Sequence, residues 1–281
     1  MRKIYLLLFF VLLAARAFSQ DGITVCHTSS TDKFAVFASN KKFNREHPTP
    51  RPYTHVSVEG GKMIQYKTPD GQDANAYLVL NKTKTDNWIF VFQEWWGLND
   101  HIKKEADELF KDLGNGNVIA LDMYDGKATA DRTLAGQYMQ QFKQERGDAI
   151  VKGAIAYAGP KAKIGTIGWC FGGGQSLVAT LNAGKQAVAC VIYYGMPVDD
   201  VEKLKTLNTD VLGIFASREK YITPEIVKKF EANMKAAGKN LTVKNYDADH
   251  GFANPSNPIF DKAATEDAYK TTLAFFKARL K

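Results

Sequence analysis

One segment carries residue types and spacing that point to covalent chemistry: Lys163–Gly174, KIGTIGWCFGGG. An apolar run that reads as a strand leads into Gly168-Trp169-Cys170-Phe171-Gly172, and a helix-forming stretch follows over 175–183. This is the nucleophile-elbow pattern G-x-S-x-G with Cys in the Ser position. A nucleophile on so sharp a turn takes strained φ and ψ, so the residues two positions either side must be tiny to avoid collision. The helix N-terminus behind the turn favours a thiolate or an oxyanion. The backbone amide of Phe171 is then one oxyanion donor. Two other readings compete for the segment: a buried structural cysteine beside a packing turn, and a phosphate-binding loop. The second lacks its Lys-Ser/Thr, because Gly172–Gly174 runs into Gln175-Ser176. Cys190, inside the apolar strand VACVIYY, reads as core, and Cys26 has no inferred role.

A nucleophile needs a base, and the base needs a group that orients it. Of the five histidines, His27, His47 and His55 precede the patterned core and His101 opens a helix. Only His250 follows a strand pattern and sits in a loop, Asp247-Ala248-Asp249-His250-Gly251-Phe252. It is the expected base. For the acid, Asp247 and Asp249 lie too close in sequence to approach the far imidazole nitrogen freely. Asp199 and Asp200 follow one strand pattern and Glu219 follows the next.

These residues need elements to hold them. From Trp88 onward, short apolar runs alternate with helical periodicity. The strand candidates are 88–92, 118–121, 163–168, 188–194, 211–216 and 241–246. Ile102, Ala106, Leu109, Phe110 and Leu113 share one helix face, and Gly114 stops that helix. Thr223-Pro224-Glu225 opens a second helix, and 265–280 forms a third. Continuous apolar strands alternating with helices predict an α/β fold, a mostly parallel central sheet with helices on both faces. Ahead of it, two hairpin-like units are expected, 56–58 with 63–66 around Gly60-Gly61, then 77–80 after Pro69-Asp70-Gly71. Residues 20–55, punctuated by Pro48, Pro50 and Pro52, read as an N-terminal extended strap without a core of its own. The division predicted is 1–19, 20–55 and a domain over 56–281.

From about Lys62 onward the chain resembles the dienelactone hydrolase family of α/β-hydrolases. Four segments carry the resemblance in order: Gln93-Glu94-Trp95-Trp96-Gly97, Gly168-Trp169-Cys170-Phe171-Gly172-Gly173, the loop near Glu219, and His250-Gly251-Phe252. The nucleophile, acid, histidine order is that of α/β-hydrolases. The resemblance implies Cys170 as nucleophile, His250 as base, and Glu94 as the glutamate that holds the resting thiol. It also implies the Trp95 amide as second oxyanion donor. It favours Glu219 as the acid over Asp199 and Asp200, although the family normally has Asp there. A family arginine that clamps a substrate carboxylate, four residues after the histidine, is replaced by Asn254. Lys127, Arg132 and Arg218 are the cations that can substitute. Trp96, Trp169 and Phe252, with Trp95 and Asn254, are expected to wall the substrate pocket.

The 281 residues are 45% hydrophobic and 24% charged, enough for one sizeable core, and three cysteines rule out a disulfide-stapled scaffold. Arg2 and Lys3 precede the apolar run from Ile4 to Ala15, and Ala17-Phe18-Ser19 follows, the order of a secretory signal peptide. Periplasmic or secreted localisation and a mature terminus at Gln20 are the expectation. Without Arg2, Lys3 and Arg16, 34 basic residues face 30 acidic ones, too even a balance to indicate nucleic acid. No stable membrane span, no cofactor and no metal are expected, because no His, Cys or carboxylate cluster has ligand spacing along the chain. The activity expected is Cys-dependent hydrolysis of a small ester or lactone. A general carboxylesterase or thioesterase, and a ligand-binding protein without turnover, are the alternatives.

Overall fold

The computed structural model describes residues 29–281. The apolar runs form strands as their composition requires: β1 Lys62–Lys67, β2 Asp73–Val79, β3 Asn87–Phe92, β4 Asn117–Leu121, β5 Lys163–Trp169, β6 Ala187–Tyr193, β7 Val211–Ala216 and β8 Leu241–Tyr246. They build one eight-stranded sheet in the order β1-β2-β4-β3-β5-β6-β7-β8. β1 pairs antiparallel with β2 and β2 antiparallel with β4, and every later pairing is parallel. β3, β4 and β7 are buried at every position, as strands covered on both faces must be.

The helices are α1 Ser30–Ala38, α2 Lys41–Glu46, α3 Asp100–Leu113, α4 Arg132–Gln141, α5 Gln144–Ala158, α6 Phe171–Ala183, α7 Val201–Lys205, α8 Pro224–Ala236 and α9 Lys262–Arg279. The Asn99 side chain caps α3 by accepting from the His101 and Ile102 amides, and Gly114 ends that helix at φ +71°. Its apolar face, Ile102, Ala106, Leu109 and Leu113, is buried.

The front of the chain differs from expectation in two ways. Val56–Val58 is not a strand; both valines are exposed. Within the 20–55 segment, residues 30–46 are largely helical, and Phe34 and Phe43 are fully buried. The polar composition concealed local helix signals. Ser29 and Asp32 form a capping box on α1, and Asn40 caps α2. Residues 1–28, with the expected signal segment, Cys26 and His27, lie outside the described residues.

Candidate active site

The elbow is built by steric exclusion. Cys170 sits between β5 and α6 at φ +58°, ψ −119°, a conformation that L-residues rarely occupy. Its N–H donates to the Tyr193 carbonyl at 3.0 Å, and its own carbonyl accepts from Gly173 N–H at 3.0 Å. A Cβ on Gly168 would collide with the Gly172 carbonyl, and one on Gly172 with the Phe92 and Gln93 carbonyls at the end of β3. The two glycines therefore allow the turn to close against the neighbouring strand. Phe171 N–H, the first amide of α6, faces the sulfur and favours its charged form.

His250 lies in the loop after β8, and its Nδ1 hydrogen-bonds Glu219 Oε2 from the loop after β7. The other carboxylate oxygen of Glu219 accepts from the Lys220 and Tyr221 amides at 3.1 and 2.9 Å. These bonds fold the longer side chain back on its own loop, which takes up the extra methylene relative to Asp. The rivals are elsewhere. Asp199 pairs with Lys33 and Lys229, Asp200 caps α7, and Asp247 and Asp249 pair with Arg218 at the surface.

Burial alone would raise the Glu219 pKa, but the facing imidazole outweighs it and lowers the value. Burial works against charge on His250 too, yet the Glu219 carboxylate, then Cys170, raise its pKa well above the ordinary histidine range. Burial pushes the Cys170 thiol up, with His250 opposing. Nε2 of His250 is buried without a hydrogen bond, and a ring nitrogen of His250 stands within 4.8 Å of the Cys170 sulfur.

Glu94, just beyond β3, is buried beside this pair and accepts from Asn254 Nδ2 at 2.7 Å. Burial pushes its pKa up to about 7 against His250 and that hydrogen bond. Among the described residues no backbone acceptor takes the Trp95 N–H. Trp95 and Trp96 line the cleft with Cys170 and His250. Phe252 does not: it is fully buried and packs on Tyr194 and Tyr246. Its position beside His250 in sequence suggested a wall, whereas the turn at Gly251 (φ +81°) sends the ring into the core.

The cleft is roofed by the N-terminal segment. The His47 ring packs tilted against Phe43 at 3.9 Å between centroids and lies 5.1 Å from Trp95 and 4.9 Å from His250. Glu46 anchors the roof beside the Glu219 loop, accepting from Tyr221 Oη at 2.7 Å and Lys220 Nζ at 3.0 Å. Farther on, buried Asp107 bonds His55, Ser57 and Tyr77. His47 Nδ1 donates to the Phe43 carbonyl at 2.7 Å, which fixes the tautomer, and burial lowers its pKa to about 3. The unfolded chain, with histidine near 6.5, takes up that proton first as pH falls. Stability from neutral His47 is therefore complete above about pH 6.5 and lost on the way down to about 3. Urea unfolding across that range should show wild type losing stability relative to His47→Phe at up to about 1.4 kcal/mol per pH unit. Parallel pH profiles would contradict this.

A profile of the dienelactone hydrolase family matches residues 74–280. The chain belongs to that family. A carboxymethylenebutenolidase of Pseudomonas sp. strain P51 is 29% identical over 222 residues, covering 72% of this chain and 89% of that protein. Protein usf of Aquifex pyrophilus is 26% identical over 237 residues, covering 78% and 99%. The solved structure of P91, a dienelactone hydrolase-like promiscuous phosphotriesterase from metagenomic libraries, shares the fold. It is 20% identical, with a TM-score of 0.68 over 79% of this chain and 99% of that one. Membership makes the chain a hydrolase acting on ester or lactone bonds.

In this dienelactone hydrolase family member the cleft at Cys170 has a volume of only about 10 Å³. A larger cavity of about 260 Å³ adjoins it, and Glu94 and Asn254 line both. Trp169, Tyr194, Glu105, Arg51, Tyr53 and His101 complete much of the larger wall. Of the cations named above, Lys127 and Arg132 do not reach this cavity: Lys127 faces the Tyr138 ring beside another hollow. Arg218 is held by Asp247 and Asp249. Several residues of the site went unread in the sequence, His47, Arg51 and Tyr194 among them. His47 and Arg51 fall in the polar leader, before the family match begins. Tyr194, at φ +36°, is fully buried with its ring 5.0 Å from that of His250. The strand end at Tyr193-Tyr194-Gly195 was its only signal.

Proposed function

We propose that the protein hydrolyses a small ester or lactone through an acyl-enzyme on Cys170. The observation that carries this is a cysteine at a left-handed elbow facing a His250–Glu219 pair. Substrate entering the larger cavity displaces Glu94, the side chain shared by both hollows. The thiol proton passes to His250 Nε2, and Glu219 favours the resulting imidazolium. The sulfur then attacks the carbonyl carbon. The negative charge that develops on its oxygen is received by the Phe171 and Trp95 amides. Collapse breaks the C–O bond, and the leaving oxygen takes the proton from Nε2. Water, deprotonated by His250, hydrolyses the thioester and restores the thiol. Until substrate arrives, burial under the His47 roof shields the sulfur from oxidants. The leading segment 1–19 supports export of the enzyme, with its product in the periplasm or outside the cell.

The test is a turnover screen of the mature protein on small esters, thioesters and lactones, with Cys170→Ala in parallel. Asn254 is engaged by Glu94 and provides no cationic fork, so neutral substrates should show kcat/KM at least equal to that of carboxylate-bearing analogues. A steep preference for the anionic lactone that high salt removes would contradict this and place the clamp on Arg51 or Lys104 in the cavity wall. No turnover of any of these bonds, with tight binding of one, would make the protein a binder.

A further inference from the structure

His47, Cys170 and His250 offer one ligand atom each, and the three atoms lie within 4.8 Å of one another. Their sequence spacing gives no hint of this; the roof brings His47 across more than a hundred residues to the elbow. What turns proximity into a site is the orientation of the imidazoles. His47 has its Nδ1 committed to the Phe43 carbonyl, and His250 has its Nδ1 committed to the Glu219 carboxylate. Each Nδ1 is thus held on an oxygen acceptor, which leaves Nε2 as the ring nitrogen open to a ligand bond. Both Nε2 atoms are buried and have no hydrogen-bond partner among the described residues. Both residues are more than nine-tenths buried, His47 at 7% and His250 at 9% exposed. Histidines that ligate metals are oriented by the same arrangement, an outer-shell carbonyl or carboxylate on the far nitrogen.

We propose that His47, Cys170 and His250 form a reversible Zn²⁺ site that caps the nucleophile. The claim of arrested turnover rests on the hydrolase reading above; the claim of binding does not. One thiolate and two imidazoles suit a borderline-soft cation and exclude Ca²⁺ and Mg²⁺, which take oxygen ligands. Tetrahedral zinc at about 2.0–2.3 Å from each ligand separates them by roughly 3.3–3.6 Å. Side-chain shifts of about 1 Å close the observed triangle to that size. Binding forms one Zn–S bond and two Zn–N bonds and releases the thiol proton, with any proton on His250 Nε2, to solvent. The fourth position faces the cleft. With its sulfur in the zinc bond and His250 Nε2 occupied, the enzyme has neither nucleophile nor base.

The experiment is titration of the mature protein with zinc ion alone, against a chromophoric chelator, with ester hydrolysis followed in the same samples. One zinc per chain is expected, with hydrolysis falling as the site fills and returning on addition of excess chelator. His47→Phe and Cys170→Ser should each weaken binding by about 100-fold or more, while Cys26→Ser binds as wild type does. Cys170→Ser guards against failure of the His47 variant to fold. Absence of stoichiometric binding, or binding that neither substitution weakens, overturns the site. Stoichiometric binding sensitive to both substitutions, in a protein that hydrolyses nothing, supports the site and sinks the hydrolase reading instead.

Discussion

Cys170→Ala should reduce turnover of any ester or lactone substrate by roughly 10⁴-fold or more, the scale on which removing the nucleophile of a triad acts. The side chain sits at the apex of the elbow and faces a cleft, so the substitution removes one sulfur and no packed ring. Backbone strain at φ +58° is held by Gly168, Gly172 and the Tyr193 carbonyl, none of which changes. Thermal unfolding should accordingly move by only a few degrees. Cys170→Ser keeps an oxygen nucleophile, yet its hydroxyl has a far higher proton affinity than the thiol. Rescue by serine should be partial at most. Wild-type activity in Cys170→Ala would remove the catalytic role altogether.

The second large effect is at Glu219. Glu219→Gln should lower kcat by roughly 10²–10⁴-fold, with KM changed little, because the amide no longer holds His250 in the tautomer that presents an unprotonated Nε2. The loss of charge also removes the group that raises the His250 pKa. Glu219→Asp should retain part of the activity. It keeps the charge but falls short by about 1.5 Å, one covalent bond length, and must give up either Nδ1 or the Lys220 and Tyr221 amides. Asp199→Asn, at a residue engaged by Lys33 and Lys229, should leave kcat unchanged. An active Glu219→Gln beside a dead Asp199→Asn would contradict the assignment.

The fold was legible where burial dictates sequence. Strands covered on both faces must be continuously apolar, so β3 to β7 could be read from composition, and the glycines at 168 and 172 mark a turn that excludes Cβ. His250 was legible because a loop histidine after a late strand stands apart from its four counterparts. Glu219 needed the family resemblance to be preferred, since a carboxylate after either of two strands satisfies the local pattern. The N-terminal segment was misread because its helices are short and its composition polar. Phe34 and Phe43 are its largest buried side chains, and their burial depends on a surface made by distant residues. His47 was out of reach for the same reason. Its place over the cleft is set by tertiary contacts with Trp95 and His250, and no local pattern records those.

The most direct measurement of the central claim is peptide mass analysis of enzyme quenched during turnover of a slowly deacylating ester. The predicted result is one acyl group per chain, on the peptide that contains Cys170, which disappears when turnover is complete. Ongoing turnover with the acyl group on another residue, or with none on Cys170 under conditions where deacylation limits the rate, would contradict it.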